Sequence, residues 1–391
     1  RMSCFIASNQ NRVYGALESA FGTAATVDGS DRLPLSAFRL RQLRVISNRN
    51  DKTGSRTYPG APSNGRESAA LQVGCYLTEW DTETGYPPLH DLMQSVTGGA
   101  VRVCAANVVQ AITGGQTIST VQPHGLSSGQ GISSGGEIRF VDAILDSSTV
   151  ALNAPFAGPI EIGQAVGRTV TYTLGDDLKS LTAYDYWDPQ SAVQRAVAGV
   201  VFNELRVNIN GDYHEMAFSG EGRTFFDSST FVGGIAGLTE YPPEPIVDQY
   251  SVSLIPGTLG QAWIGSTASQ SYNVLLGAVR MSNNIDYRRR EFGPSVAGCV
   301  AGGIRDIRVD LRLSANSSSD MSALFSASRT REPIPIMFQL GESMGQLCGL
   351  YLKSVVPEVP SFEDTQTKLE WMIRDARAQG NHNDELSIAF A

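Results

Sequence analysis

Residues 341–345 match G-x-S-x-G, the pattern that presents a nucleophilic serine on a sharp turn between a strand and a helix. Two later aspartates and His382 complete the chain order of a serine, carboxylate and histidine triad. The pattern needs a helix directly after Ser343, whereas residues 347–356 read as a strand, and no alternation of strands and helices surrounds it. We therefore interpret the segment as a glycine-rich turn.

The other residue types that could do chemistry are scattered along the chain. Its four histidines have no cysteine or carboxylate at the spacing of a zinc ligand set; they are His90, His124, His214 and His382. The carboxylate pairs at 176–177 and 363–364 lie in polar turns, where solvated charge is the ordinary interpretation. The sequence thus predicts no catalytic residue, no cofactor-binding residue and no metal site, and we do not expect an enzyme.

Two polar stretches rich in arginine, 48–66 and 283–303, are too long and too polar for tight turns. Arginine binds carboxylates and phosphates through paired hydrogen bonds. Because acidic residues surround the arginines at 288–290 and the formal net charge is −9, ion pairs between subunits are favoured over phosphate binding. The candidates for such contacts are Arg49, Asp51, Arg56, Arg66, Arg288, Arg289 and Arg290.

The elements that position these residues are predicted to be short strands. The chain has 391 residues, of which 41% are hydrophobic and 18% charged, and it contains 40 glycines. This balance is typical of strands joined by tight turns, arranged in two or three domains with ordinary cores. The sequence lacks the roughly 18-residue apolar stretch of a membrane-spanning helix and a recognisable secretion signal. We expect a mainly β protein that is made in the cytoplasm and does not bind membranes.

Alternation of apolar and polar residues identifies the clearest strands, at 69–78 and 304–313. The apolar positions, which we expect to face a core, are Leu71, Val73, Cys75, Leu77, Ile307, Val309, Leu311 and Leu313. The positions expected on the opposite faces include Gln72, Tyr76, Arg308, Asp310 and Arg312.

The order strand, arginine-rich stretch, strand and short helix occurs twice, once before residue 100 and again after residue 270. Residues 108–166 are rich in glycine, serine and threonine and predict a small β insert, and the prolines at 242–245 mark a boundary. We expect a first unit of residues 1–107 plus 167–240, an inserted β domain of 108–166 and a second unit of 241–391. The chain would then use one fold twice.

Three segments resemble the major tail tube proteins of long-tailed, siphovirus-like phages. They are residues 18–23 (ESAFGT), residues 51–56 (DKTGSR) and residues 199–222, in which a strand ending in RVNING leads to MAFSGEG. The resemblance covers about residues 1–100 and 170–235 and is weaker over 250–391. It implies two tail-tube-like β-sandwich or half-barrel units, each flanked by a short helix, plus the inserted small β-barrel module as an outer decoration.

The resemblance also implies a function and partners. Subunits would pair edge to edge into rings, as trimers with pseudo-six-fold walls or as hexamers, and the rings would stack helically into a tube. The tube would meet a tape measure protein, a tail terminator and a distal tip, and DNA would pass through it without specific binding. The expected location is the virion. The two arginine-rich stretches would reach neighbouring rings, and the polar strand positions named above would line the channel, whose net negative charge would repel DNA.

Other functions fit the same composition. The glycine- and serine-rich insert and 13 tyrosines are also compatible with a carbohydrate-binding adhesin, a β-rich decoration protein or a virion-associated enzyme. The inner tube of a contractile injection machine is a further alternative. The repeated edge-strand fold favours a tube, since an adhesin or a hydrolase does not need it.

Overall fold

A computed structural model describes residues 5–45, 51–57, 60, 65–80, 82, 85–247, 253–265, 270–271, 273–288, 292–293 and 296–391. The described chain is mainly β, with a closed small barrel and two α-helices, one in each half. The predicted fold class is therefore confirmed.

The helices are α1 (His90–Thr97) and α2 (Ser319–Thr330), and three short 3-10 turns lie at Ser8–Gln10, Gly29–Asp31 and Ile235–Gly237. The strands in chain order are β1 (Asn11–Leu17), β2 (Leu35–Val45), β3 (Arg66–Tyr76), β4 (Gly98–Cys104), β5 (Asn107–Thr113), β6 (Thr117–Thr120), β7 (Gly131–Ser134), β8 (Glu137–Ile144), β9 (Thr149–Leu152), β10 (Ala165–Gly167), β11 (Thr169–Leu174), β12 (Leu181–Trp187), β13 (Arg195–Ile209), β14 (Glu215–Gly222), β15 (Thr224–Asp227), β16 (Gly260–Ile264), β17 (Gln270–Ser271), β18 (Val274–Ser282), β19 (Asp286–Tyr287), β20 (Val300–Ala301), β21 (Asp306–Ser314), β22 (Ile334–Leu340), β23 (Cys348–Val356), β24 (Ser361–Asp364), β25 (Leu369–Ala378) and β26 (Ser387–Phe390).

Eight strands form one continuous antiparallel sheet, which we call the polar-faced sheet, in the order β2-β3-β14-β13-β18-β21-β25-β24. The first four strands come from the first half of the chain and the last four from the second half. The two sets have the same topology. When the strands of each set are numbered along the chain, their order in the sheet is first, second, fourth and third. The two sets join through β13 and β18, which pair from Glu204 opposite Ser282 to Ile209 opposite Gly277.

A second layer covers the apolar side of the polar-faced sheet. It consists of the sheet β1-β12-β13-β15 and the sheet β17-β16-β22-β23-β26-β11-β4. Strand β13 belongs to both layers, since it pairs with β12 and β15 over residues 195–200 and with β14 and β18 over residues 201–209. One hydrophobic core joins the layers, and it contains all eight apolar positions predicted from the alternating strands. Since β26 pairs with both β11 and β23, the two halves share this layer.

Both helices lie where the sequence predicts them. Helix α1 ends at Gly98, whose φ of 66° gives the left-handed conformation that closes many helices. Helix α2 begins after Ser318, whose side chain accepts a hydrogen bond from the Met321 amide. Apolar residues of both helices enter the shared core.

The insert forms a closed six-stranded barrel in the order β10-β5-β6-β9-β8-β7, with a small core of its own. The barrel packs on the face of β22, β23 and β26 that points away from the polar-faced sheet. Phe140 of the barrel stacks on Tyr351 of β23 with ring centroids 5.3 Å apart. The Gly131 amide donates a hydrogen bond to the Thr171 hydroxyl of β11 at 2.9 Å, so the barrel is joined closely to the sandwich.

Candidate assembly surface

The five strand positions predicted to face away from the core lie on the exposed side of the polar-faced sheet. They are Gln72 and Tyr76 on β3 and Arg308, Asp310 and Arg312 on β21. Each alternates with a buried neighbour, as period two requires. The sequence therefore identified one surface from two distant segments, although it did not show that these segments belong to the same sheet.

Four arginines lie directly opposite one another across four neighbouring strands of this surface. Arg206 on β13 faces Arg280 on β18, Arg280 faces Arg308 on β21, and Arg308 faces Arg377 on β25. Like charges directly opposite each other in a sheet repel, so this arginine row needs compensation.

Aspartates on both sides of the arginine row supply that compensation. Arg280 lies 2.8 Å from carboxylate oxygens of Asp310 and Asp375. Asp306 lies 2.9 Å from Arg308 and 3.2 Å from Arg377. The surface is therefore mixed in charge, with paired arginines and aspartates.

A bulge in β25 places one of these aspartates. Asp310 opposes both Arg374 and Asp375 because the register of β21 and β25 shifts there. Asp375 has a φ of 54°, a left-handed conformation that aspartate adopts more readily than most residues, and its amide donates to Asp310 at 2.8 Å. The bulge thus brings a second carboxylate to Arg280.

Glu370, on β25, carries a buried carboxylate. Burial acts to raise the pKa of the Glu370 carboxyl, but hydrogen bonds from Arg312 and Lys368 outweigh it and hold the pKa below its ordinary value. The ion pair of Arg312 is therefore part of the fold as well as of the surface.

No described residue pairs with the outer side of β2 or of β24, so the polar-faced sheet has two free edges. The β2 edge carries Arg39, Arg41 and Arg44, and β2 has no acidic residue. The β24 edge carries Glu363 and Asp364. The two edges are complementary in charge, and free edges of this kind are ready to pair with another strand.

Apolar side chains accompany the β24 edge. Phe362 is 55% exposed and packs its ring edge against Trp371, with centroids 5.6 Å apart, and against Phe325 of α2. Val359 and Leu369 are exposed close by in the chain. This edge therefore offers both backbone hydrogen-bonding groups and apolar surface.

The predicted loop contacts are only partly described. Asp51, Arg56 and Arg288 are exposed and lie outside strands or at their ends. Arg66 is the first residue of β3 and is exposed. Arg49, Arg289 and Arg290 lie outside the described residues. Their role in contacts between subunits stays a prediction.

The sequence analysis did not identify several residues on the exposed side of the polar-faced sheet, which we call the polar surface. For two of them the sequence does contain the alternating pattern. Arg206 stands between Leu205 and Val207, and Arg280 stands between Val279 and Met281. Both therefore alternate with apolar residues as clearly as Arg308 does. Their placement in one row depends on strand register, which alternation alone does not determine.

The carboxylate of Glu18 joins two of the segments that carry the resemblance. It accepts hydrogen bonds from the Gly22 amide at 2.8 Å and from the Gly199 amide at 2.7 Å. The hydroxyls of Ser180 and Thr182 each donate to it at 2.7 Å. Glu18 thus ties the turn after β1 to β12 and β13.

We expect Glu18→Gln to lower the free energy of unfolding by about 2 kcal/mol, because the amide nitrogen would face hydrogen-bond donors instead of accepting from them. Urea denaturation followed by fluorescence would measure the change. The exposed Glu240→Gln is the matched control and should leave the midpoint unchanged. Equal midpoints for both variants would contradict the role of Glu18.

The G-x-S-x-G segment forms a turn between β22 and β23. Gly341 and Gly345 have φ values of 86° and 82°, and the Ser343 hydroxyl donates to the Gln346 side chain at 2.8 Å. The element that follows is β23, a strand, which does not match the helix that a nucleophilic serine turn requires.

Comparison with known proteins yields no match to any protein-family model and none to a curated protein. Within the described ranges, no helix has the length and apolar character needed to cross a membrane.

Proposed function

We propose that this chain is a structural virion protein that polymerises into stacked rings and forms the tail tube of a long-tailed phage. The ring closes when the β24 edge of one copy pairs with the β2 edge of the next. The tube is the conduit through which the genome passes to the host.

One observation carries this proposal, namely the junction of β13 with β18. In sheet order, the first set begins with β2 and ends with β13, and the second set begins with β18 and ends with β24. The junction inside the chain is therefore a last-to-first pairing, and the two edges that remain free are again a last and a first strand. Because neighbouring strands alternate in direction across eight strands, pairing of β24 with β2 of another copy is antiparallel, as at the internal junction.

The size of a closed ring agrees with passage of DNA. Three copies would supply 24 strands, and strands about 4.8 Å apart and tilted by about 40° close into a barrel with a backbone diameter of about 45–50 Å. Inward side chains reduce this diameter by roughly a quarter, which leaves a lumen wider than duplex DNA. Two copies would give about two thirds of that diameter, so three copies fit the conduit better.

The position of the barrel agrees with its proposed role as a decoration on the outside of the tube. The barrel of residues 107–167 packs on the second layer, on the opposite side of the molecule from the polar surface. In a ring whose channel is lined by the polar surface, the barrel lies on the outside. The tape measure, tail terminator and distal tip proteins remain the proposed partners within the tail.

Electron microscopy of the purified protein at high concentration tests this proposal. We expect hollow tubes whose views along the axis show three-fold rings with pseudo-six-fold walls. The reason is that each copy brings two equivalent sets of four strands. Discrete monomers at several salt concentrations, even with a nucleating tail tip, would contradict the proposal, and glycan binding by that monomer would favour an adhesin.

A further inference from the structure

A groove crosses the polar surface where β13, β18, β21 and β25 adjoin. It has a volume of about 380 Å³, and the side chains of Arg206, Arg312 and Arg374 line it. Gly277 and Ala278 form part of its floor, so small side chains leave space between longer ones. Three guanidinium groups thus surround one depression on an exposed sheet.

Positive side chains outnumber negative ones around the groove. Asp310 is the one carboxylate among the described lining residues, and it already pairs with Arg280 and accepts from the Asp375 amide. Arg206 is exposed and donates to the Asn208 side chain at 2.8 Å, with no described carboxylate in ion-pair distance. Arg374 has a side chain 66% exposed and a single long ion pair of 3.4 Å to Glu363. Arg206 and Arg374 can therefore turn towards an external anion at low cost.

The shape of the site indicates the kind of anion. The arginine row continues from Arg206 along the same surface, where aspartates pair with its other members. The described lining contains no aromatic side chain on which a base could stack. Planar guanidinium groups match the oxygens of phosphate through two parallel hydrogen bonds.

We propose that this groove binds the phosphodiester backbone of duplex nucleic acid, without reading its sequence. The contact is weak and depends on salt, because binding releases counterions from the nucleic acid. It provides brief contacts on a surface that is otherwise balanced by ion pairs. The inference concerns the surface of a single chain, so it holds or fails independently of ring formation.

Fluorescence polarisation with a short labelled DNA duplex tests the groove at protein concentrations where light scattering finds monomers. We expect binding at low salt that weakens as salt rises. For Arg206→Gln/Arg374→Gln we expect binding about tenfold weaker and a log–log salt dependence reduced by about two, since each phosphate contact contributes about 0.9 to that slope. Both side chains are exposed, so the fold should tolerate the change.

The matched control is Arg329→Gln/Arg331→Gln, which removes the same charge from exposed positions at the end of α2. We expect this variant to bind the duplex as the parent does. Equal weakening by both variants would overturn the proposal, because net charge alone would then explain binding. Absence of binding at low salt would overturn it as well, and so would polyglutamate binding as tightly as the duplex, which would assign the groove to acidic polypeptides.

Discussion

Glu363→Lys/Asp364→Lys should abolish ring formation while leaving a folded monomer. The substitutions place cations on the β24 edge, which in the proposed ring lies opposite the arginines of the β2 edge of the next copy. Juxtaposed like charges at an interface cost several kcal/mol, so we expect association to weaken by at least about a hundredfold. Sedimentation velocity and electron microscopy would measure the loss.

The same substitutions should have little effect within one chain. The ion pair of Glu363 with Arg374 is exposed and 3.4 Å long, and pairs of this kind contribute at most about 1 kcal/mol. A matched control is Glu332→Lys, at an exposed position after α2 that belongs to neither edge, for which we expect normal rings. Rings formed by the double variant as readily as by the parent would contradict the pairing of these two edges.

Charge exchange extends this test to the number of copies. A chain that also carries Arg39→Glu and Arg41→Glu should form rings again, because both edges are then reversed. A second test mixes the Glu363→Lys/Asp364→Lys chain with an Arg39→Glu/Arg41→Glu chain. These two chains can pair only in alternation, and alternation closes only in rings with an even number of copies. Rings from the fourfold variant but not from the mixture would indicate an odd number such as three copies, whereas rings from both would indicate an even number such as six.

Arg139→Ala should destabilise the protein by about 3–5 kcal/mol, since it breaks a buried ion pair and removes the cation beside the partner carboxylate. Arg139 is fully buried between the barrel and the second layer, in contact with Glu137, and its guanidinium carbon lies 3.9 Å from the Trp263 ring centre. It donates to the Gln339 side chain at 3.1 Å and to the Pro155 carbonyl at 2.8 Å. Burial lowers the pKa of Arg139 to about 10, so the group remains charged at neutral pH.

Urea denaturation monitored by circular dichroism would measure the loss. The control is Arg374→Ala, which removes an exposed arginine and should change the free energy of unfolding by less than about 1 kcal/mol. A loss as small for Arg139 as for Arg374 would mean that the barrel is only loosely attached. Limited proteolysis should in addition release the barrel more readily from the Arg139 variant.

Much of the fold could be predicted because local patterns determine it. Strict alternation located β3 and β21 and the sides that they bury. The ends of the helices also depend on local signals, namely a capping serine before α2 and a left-handed glycine after α1. These features depend on residues that are close in sequence.

Pairing over long distances could not be read in the same way. The junction of β13 with β18 joins residues more than 65 positions apart, and β26 pairs with β11 across more than 200. The arginine row exists only because three successive registers place Arg206, Arg280, Arg308 and Arg377 opposite one another. Buried Arg139 was missed because a single charged residue in a strand gives no sign that the barrel packs against another sheet there.

The pairing of β26 affects how the protein is made. Ser387–Phe390 lies between β11 and β23, so the second layer remains open while the ribosome synthesises the preceding residues. The barrel differs, because its strands all lie within residues 107–167 and pair only with one another. We expect the barrel to fold early during translation and the sandwich to fold only after residue 390 has emerged.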